Sequence, residues 1–316
     1  MRPHKKSDLI KVAKLYYLTD LTQDEIAASF GYSRSKVSRM LTQAKEQRIV
    51  QFRIAEQGNL QNELQEELIK RFGLLKAMVV PSTEPELIKA MVGQTAAKFL
   101  REHLRDNMLI GIQWGSTANC MIEAYEGKVL ASNVEIMQIT GGMHISNHIT
   151  GGIETIKKLA NKMDVNYHVL QYPMVVSSAV LAKMIMEDDN REYFARMKQM
   201  DMVFLGLGSS IPEESAAYLG GYISLDDAAE LVRQGLAADV CGHRLNLDGT
   251  QADTVFSGRM VTIPLETIRN VHLRVGVAVG PYKKESILAA IKGGYLNVLI
   301  ADDICALSIL EGGGIY

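Results

Sequence analysis

The sequence predicts an α/β protein, with an N-terminal helix-turn-helix followed by a larger domain built on a mostly parallel sheet. Three observations lead there. From Ala77 onward, short apolar runs alternate with amphipathic helical stretches. The first fifty or so residues instead show helical periodicity, punctuated by two capping signals and a glycine turn. Charge divides the same way. Residues 1–55 hold eleven Lys/Arg and five Asp/Glu, a net of +6, while the rest of the chain carries −8 within a total of −2. A basic head on an acidic body points the head toward a polyanion.

Taken in order, the first helix is expected to start after Ser7 as N-cap and run to about Leu18. Leu9, Ile10, Val12, Ala13, Tyr16 and Tyr17 form its apolar stripe. Thr19-Asp20 break the pattern. Thr22-Gln23-Asp24-Glu25 has the form of a capping box, in which the Thr22 hydroxyl and the Glu25 carboxylate each bond the other's backbone N–H. The short helix that follows turns Ile26, Ala27 and Phe30 inward and ends at Gly31-Tyr32, where Gly31 can adopt the left-handed conformation. Ser33 then caps a third helix, Arg34 to about Gln47, with Val37, Met40, Leu41 and Ala44 facing the core.

Two short helices joined by a glycine turn make a helix-turn-helix whose second helix enters the major groove. Its leading face carries Arg34, Ser35, Lys36, Ser38 and Arg39. Together with Thr22 and Ser33 at the helix starts, these are the candidate contacts to double-stranded operator DNA. The alternative is a three-helix capping subdomain with solvated basic positions. The alternation in Ile49-Val50-Gln51-Phe52-Arg53-Ile54 suggests a strand that closes a winged domain.

Leu60, Leu64, Leu68 and Phe72 recur every fourth residue ahead of a C-capping Gly73. That stripe fits a linker helix paired across a dimer, and equally a helix packed on its own domain. The expected domains are therefore 1–55, a linker at 56–75, and a ligand-binding and oligomerisation body at 76–316.

In the body, strands are expected at 77–80, 108–112, 134–139, 167–170, 202–207, 274–279 and 297–300. Helices are expected at 86–103, 117–125, 153–163, 178–187, 226–234, 285–291 and 303–310. Apolar strands between helices imply a parallel sheet covered on both faces, and such sheets bind ligands beyond the carboxyl ends of their strands. Three loops there suit an anion. Gly115-Ser116-Thr117 opens a helix, Gly208-Ser209-Ser210 follows a strand, and Gly280-Pro281-Tyr282-Lys283-Lys284 brings a lysine to a helix start. Any one of them could be only a tight turn, whereas three on one sheet edge favour a phosphate-bearing ligand. Thr140-Gly141-Gly142, with His144, Asn147 and His148 beyond, could offer polar groups to sugar hydroxyls or be a solvated loop. Asp239 is an acid among apolar neighbours.

The 47% hydrophobic and 22% charged composition is that of an ordinary globular protein. No apolar run approaches the roughly 20 residues that span a bilayer, and no signal region follows the basic start, so a cytoplasmic location is expected. Cys120, Cys241 and Cys305 form neither a metal pattern nor a disulfide framework. No cofactor is expected, because the 111–117 loop is neither a Walker A loop nor a dinucleotide fingerprint. His144 and His148 lack a third ligand, so no metal is expected.

The chain resembles the SorC family of sugar-responsive bacterial regulators over nearly its whole length. The resemblance rests on Leu21-Thr22-Gln23-Asp24-Glu25-Ile26-Ala27, Val37-Ser38-Arg39-Met40-Leu41, Gly111-Ile112-Gln113-Trp114-Gly115, Ile139-Thr140-Gly141-Gly142, Gly206-Leu207-Gly208 and Asp239-Val240-Cys241-Gly242. Arg274-Val275-Gly276-Val277-Ala278 and the run from Ala289 to Ile300 complete it. It implies a winged helix-turn-helix, a body like those of sugar-phosphate isomerases and deaminases, a phosphorylated sugar or polyol effector, and a homodimer or homotetramer. It also implies that Gly115-Ser116-Thr117 and Lys284 hold phosphate and that Asp239 faces the sugar. Some relatives carry a basic residue where this chain has Thr140, so a lysine able to form an imine is missing there. A sugar-phosphate enzyme with a DNA-binding appendage would need a general base, and Asp239 has no evident His or Glu partner in the sequence. A ligand-free oligomerisation module is the third alternative.

Overall fold

The computed structural model describes residues 5–17, 21–47, 49–50, 60–82, 86–142, 152–209, 211–219, 221–236 and 238–312. Two compact units result, Met1–Gln57 and Gly58–Tyr316.

The first unit holds α1 (Lys6–Tyr17), α2 (Gln23–Phe30) and α3 (Arg34–Glu46). Leu9, Val12, Ile26, Val37, Met40 and Ala44 meet in its core. Helix α1 begins two residues earlier than expected, at Lys6. The Lys5 carbonyl accepts from the N–H groups of Asp8 and Leu9 at 2.9 and 3.2 Å, which leaves Ser7 inside the first turn instead of capping it. The α2–α3 turn follows the sequence closely. The Thr22–Glu25 capping box is present, and Gly31 sits at φ 63°. The Tyr32 N–H reaches back to the Ala27 carbonyl at 2.9 Å, closing a Schellman motif. Of the expected wing strand, residues 51–54 lie outside the described residues. Ile49 and Val50 form a bend, with their N–H groups bonded to the Ala44 carbonyl at the end of α3.

The second unit runs α4 (Leu60–Phe72), β1 (Lys76–Val80), α5 (Ile88–Glu102), β2 (Leu109–Ile112), α6 (Ser116–Ala124), β3 (Glu135–Gln138), α7 (Gly152–Met163) and β4 (Asn166–His168). It continues with α8 (Ala179–Met184), α9 (Arg191–Met197), β5 (Met202–Gly206), α10 (Ala216–Leu219), α11 (Leu225–Arg233), β6 (Ala238–Val240) and β7 (His243–Leu245). The last elements are α12 (Leu265–Asn270), β8 (Leu273–Ala278), α13 (Lys284–Lys292), β9 (Val298–Asp302) and α14 (Asp303–Gly312).

Seven strands form one sheet in the order β1-β9-β8-β5-β2-β3-β4. Every neighbouring pair in it is parallel. Successive strand residues serve opposite faces, as the two-residue period requires. Ile110, Ile136, Phe204, Val275 and Ile300 join the layer of α5, α6 and α7. Leu109, Met137, Leu205, Ala278 and Leu299 join the layer that includes α4, α9, α13 and α14. Helix α4 spends its leucine stripe inside this unit. Leu64 and Leu68 are buried, the Gln65 side chain accepts from the Val79 N–H at 3.1 Å, and Arg71 donates to the Leu310 carbonyl at 2.6 Å.

Several features went unread in the sequence, among them the short helices α9, α10 and α12. Helix α8 continues as a π turn, Ile185–Asp189, before α9. Strands β6 and β7 form a hairpin whose two-residue loop, Cys241-Gly242, has both φ values positive at 53° and 83°, the requirement of a type I′ turn.

From β2 the chain steps to β3 and β4 on one side, then returns to place β5 and β8 on the other. The β2/β5 junction is thus a switch point, where connections leave in opposite directions and a crevice opens beyond the strand ends. Helix α6 reaches that crevice only because α5 lets it approach. A Cβ on Gly93 would lie 2.5 Å from the Cys120 backbone carbon. Backbone cannot yield as a side-chain tip can. Gly93→Ala is therefore expected to lower stability by about 1–3 kcal/mol, read from the urea midpoint at unchanged m-value.

Candidate functional site

The crevice is a cavity of about 170 Å³. Three strand ends supply its floor. Gln113 to Ala118 follow β2, Gly206 to Ser209 follow β5, and Lys283 follows β8. The β6–β7 hairpin adds Asp239, Gly242 and Arg244, and the turn before α10 adds Glu214 and Ser215.

Backbone geometry sets each loop. Gly115 has φ 155°, a value unfavourable for a side chain, and lets α6 begin at Ser116 with its first N–H groups at the cavity. The Gln113 side-chain oxygen accepts from the Gly206 N–H at 2.9 Å and from the Cys241 thiol at 3.2 Å, tying the β2 loop to the β5 loop and the hairpin. Asp239 accepts from the Gly242 N–H at 3.1 Å and lies 3.5 Å from the Arg244 Nε. Arg244 donates onward to the Leu236 carbonyl and the Ser215 hydroxyl, both at 3.3 Å. The Asp239 carbonyl accepts from the Gly208 N–H at 2.9 Å, so hairpin and β5 loop move as one.

Lys283 ends the 3-10 turn Pro281–Lys283, and its Nζ donates to the Leu207 carbonyl at 3.0 Å. Burial lowers its pKa, against the pull of Glu214 and Asp239 toward the charged form. The turn is anchored from behind. Asp302, 1% exposed at the end of β9, accepts from the Gly280 N–H at 2.7 Å, the Cys305 N–H at 3.1 Å and the Ser82 hydroxyl at 3.2 Å.

The structure thus gathers Gly115, Ser116, Thr117, Gly208, Ser209 and Asp239 around one cavity. Lys284 is a correction. It is the first residue of α13 and does not line the cavity; Lys283 does. One residue along a helical turn is a rotation of about 100°, which is enough to exchange one lysine for its neighbour. Thr140, Gly141 and Gly142 also fall outside the lining. They splice β3 to neighbouring segments. Thr140 bridges Thr262, the Gly141 N–H donates to the Val261 carbonyl, and the Gly142 N–H donates to the Tyr172 carbonyl. The Gly141 carbonyl accepts the Trp114 indole N–H at 2.7 Å. His144, Asn147, His148 and Ser210 lie outside the described residues. Gln113, Glu214, Arg244 and Lys283 were not singled out in the sequence. Lys283, adjacent to the chosen lysine, and Gln113, inside the Gly111–Gly115 motif, left a signal there.

In the head, Arg34, Ser35, Ser38 and Arg39 are exposed along α3 and Lys36 is half-buried. The Thr22 and Ser33 hydroxyls are engaged as helix caps, accepting from the N–H groups of Glu25 and Lys36 at 3.3 Å. Arg39 donates to the Ser35 carbonyl at 3.2 Å, and the Lys36 ammonium lies 3.3 Å from the centre of the Tyr32 ring.

A wider groove of about 920 Å³ borders the cavity and shares Gly242, Arg244, Phe256 and Met260 with it. It lacks the anion-binding loops. Among the described residues, no group of three or more His, Cys, Asp or Glu is placed to hold a metal, and no helix is long and apolar enough to cross a membrane.

A helix-turn-helix joined to an α/β body with a polar crevice at its switch point defines a transcription regulator with a ligand-binding domain. The family model described as "Putative sugar-binding domain" matches residues 56–311, and the chain belongs to that family. The deoxyribonucleoside regulator of Bacillus subtilis is 29% identical over 304 residues, spanning 96% of each chain. The sorbitol operon regulator of Klebsiella pneumoniae is 27% identical over 308 residues, 96% of this chain and 97% of that one. The crystal structure of the full-length Klebsiella regulator SorC superposes with a TM-score of 0.73 at 24% identity, covering 96% of this chain and 98% of that one, and so shares the fold. The protein is a SorC-family transcription regulator, and its relatives are regulators, not enzymes.

His243 gives the hairpin a pH response. Burial holds its pKa below the usual histidine value, while its bond to the Ile263 carbonyl at 2.8 Å and the charge of Asp239 act the other way. The unfolded chain binds a proton near pH 6.5 that the folded chain resists. Stability is therefore full above about pH 6.5 and falls as the pH drops toward the depressed folded value. Melting temperatures measured from pH 7.5 to 5.5 should decline, and His243→Gln should flatten that decline.

Proposed function

We propose that the protein is a sequence-specific regulator of a carbohydrate catabolic operon, whose affinity for double-stranded operator DNA changes when a phosphorylated sugar or polyol occupies the β2/β5 cavity. The observation that carries this reading is the convergence of Lys283 with the N-terminal amides of α6 in one small cavity, in a chain that also presents an exposed basic helix. Arg34, Ser35, Lys36, Ser38 and Arg39 contact DNA, with Thr22 and Ser33 holding the reading helix in place. Gly115, Ser116, Thr117, Gly208, Ser209, Asp239 and Lys283 hold the effector. The DNA-binding domain spans about 1–55, and the body from about residue 56 carries both effector binding and assembly into a homodimer or homotetramer. A symmetric assembly would present paired heads to paired half-sites. The effector gates binding by favouring one arrangement of the assembly over another.

Fluorescence anisotropy on labelled promoter DNA, with and without sugar phosphates, tests the proposal. An operator affinity that no sugar phosphate alters would overturn it. Arg39→Ala should weaken operator binding by about 1–3 kcal/mol while leaving effector affinity unchanged. Lys283→Ala should abolish the effector response with DNA binding intact, whereas Lys284→Ala should retain the response. Loss of response in the Lys284 variant alone would return the phosphate to that lysine.

A further inference from the structure

Four ionisable side chains line the cavity among the described residues: Lys283, Arg244, Asp239 and Glu214. Their formal charges cancel. Arg244 is committed to Asp239 at 3.5 Å, to Ser215 and to the Leu236 carbonyl, and is 7% exposed. Lys283 is then the cation left to meet a ligand charge, reinforced by the amides at the start of α6. A phosphate monoester brings roughly −1.5 to −2 at neutral pH. One such group is matched by Lys283 and the helix amides. A second held in the same cavity would share about 170 Å³ with the first, well under the roughly 300–1,000 Å³ of sites for drug-sized ligands. It would face the carboxylates of Glu214 and Asp239, with no cation beyond Lys283 and the committed Arg244 among the described residues that line the cavity.

Resting on the phosphorylated-effector reading above, we infer that the cavity selects singly phosphorylated sugars or polyols and rejects bisphosphates, and that Glu214 is the residue that enforces the choice. Asp239 also contributes negative charge, but it is built into the hairpin through the Gly242 N–H and Arg244. Glu214 ends an exposed 3-10 turn, Pro212–Glu214, and serves the cavity by its charge. Near it, hydroxyl-bearing carbons are tolerated and a second phosphate is repelled, which is discrimination through an unfavourable element.

The test is isothermal titration of the full-length protein with pentose 5-phosphates, hexose and hexitol 6-phosphates, fructose 1,6-bisphosphate and the unphosphorylated parents, repeated on Glu214→Gln. A monophosphate should bind, with the bisphosphate weaker on the order of 100-fold. Glu214→Gln should close most of that gap by strengthening the bisphosphate, with the monophosphate changed by less. This gain cannot arise from a damaged fold. A bisphosphate that binds the natural protein as tightly as any monophosphate overturns the inference and leaves the phosphorylated-effector reading standing. A gap unchanged by Glu214→Gln overturns the role of Glu214. Binding of a parent sugar with no phosphate ester bound overturns the underlying reading, and the inference with it.

Discussion

The parallel pairing of β2 with β5 is the constraint on which the rest of the site depends. Ile110, Gly111 and Ile112 lie beside Met202, Val203 and Phe204, so both strands deliver their carboxyl ends to the same edge at the same height. The following connections must diverge, since β3 lies beyond β2 and β8 beyond β5. Close pairing at this point demands a small residue. A Cβ on Gly111 would meet Met200, Ile139 and Val203, with the Met200 sulfur only 2.4 Å away. The two ends leave a gap that backbone alone cannot close, and the Gln113 amide spans it.

The buried charged side chains Asp302, Asp239 and Arg244 at the gap are each paired. Asp302 accepts three hydrogen bonds beneath the Lys283 turn, and Asp239 with Arg244 supports the hairpin. Buried ion pairs add little net stability, because desolvation offsets attraction, but removing one partner leaves a charge stranded. These pairs fix loop positions. The result is a cavity whose hydrogen-bonding groups are set before a ligand arrives, which lowers the ordering cost of binding.

Most of the fold was legible because its signals are local. Each of the seven expected strands lies within about two residues of a strand in the main sheet, since continuous apolar runs of that length between helices have few other uses. The Thr22 box and the Gly31 turn were readable from residue type at fixed spacing. The β6–β7 hairpin was not, because three-residue strands give too short an alternation and Cys241 is an unusual residue at positive φ. The cavity was legible where a glycine loop follows a strand. It was illegible where a side chain arrives from elsewhere in the chain. Nothing near Glu214 or Arg244 in sequence announces that they meet Ser116 or Lys283. The Thr140–Gly142 segment, which the sequence also offered, lies outside the cavity lining and packs on neighbouring backbone. Gly141 permits backbone to approach backbone at Tyr172–Met174.

The same hairpin geometry limits what Asp239 and His243 can do at the cavity. A general base needs a lone pair free to take a proton from the ligand. Asp239 is the acid best placed for that task, yet Gly242 and Arg244 engage both its oxygens from the protein side. His243 is next to it in space, but its ring donates to the Ile263 carbonyl and its other nitrogen meets the Gln251 amide at 3.3 Å. It lines the neighbouring groove and not this cavity. With the acid clamped and the imidazole turned away, neither of these two groups is free to take a proton from a ligand in the cavity. What Asp239 offers a ligand there is charge and hydrogen bonding, and the binding energy of a ligand that prefers one conformation biases the protein toward it.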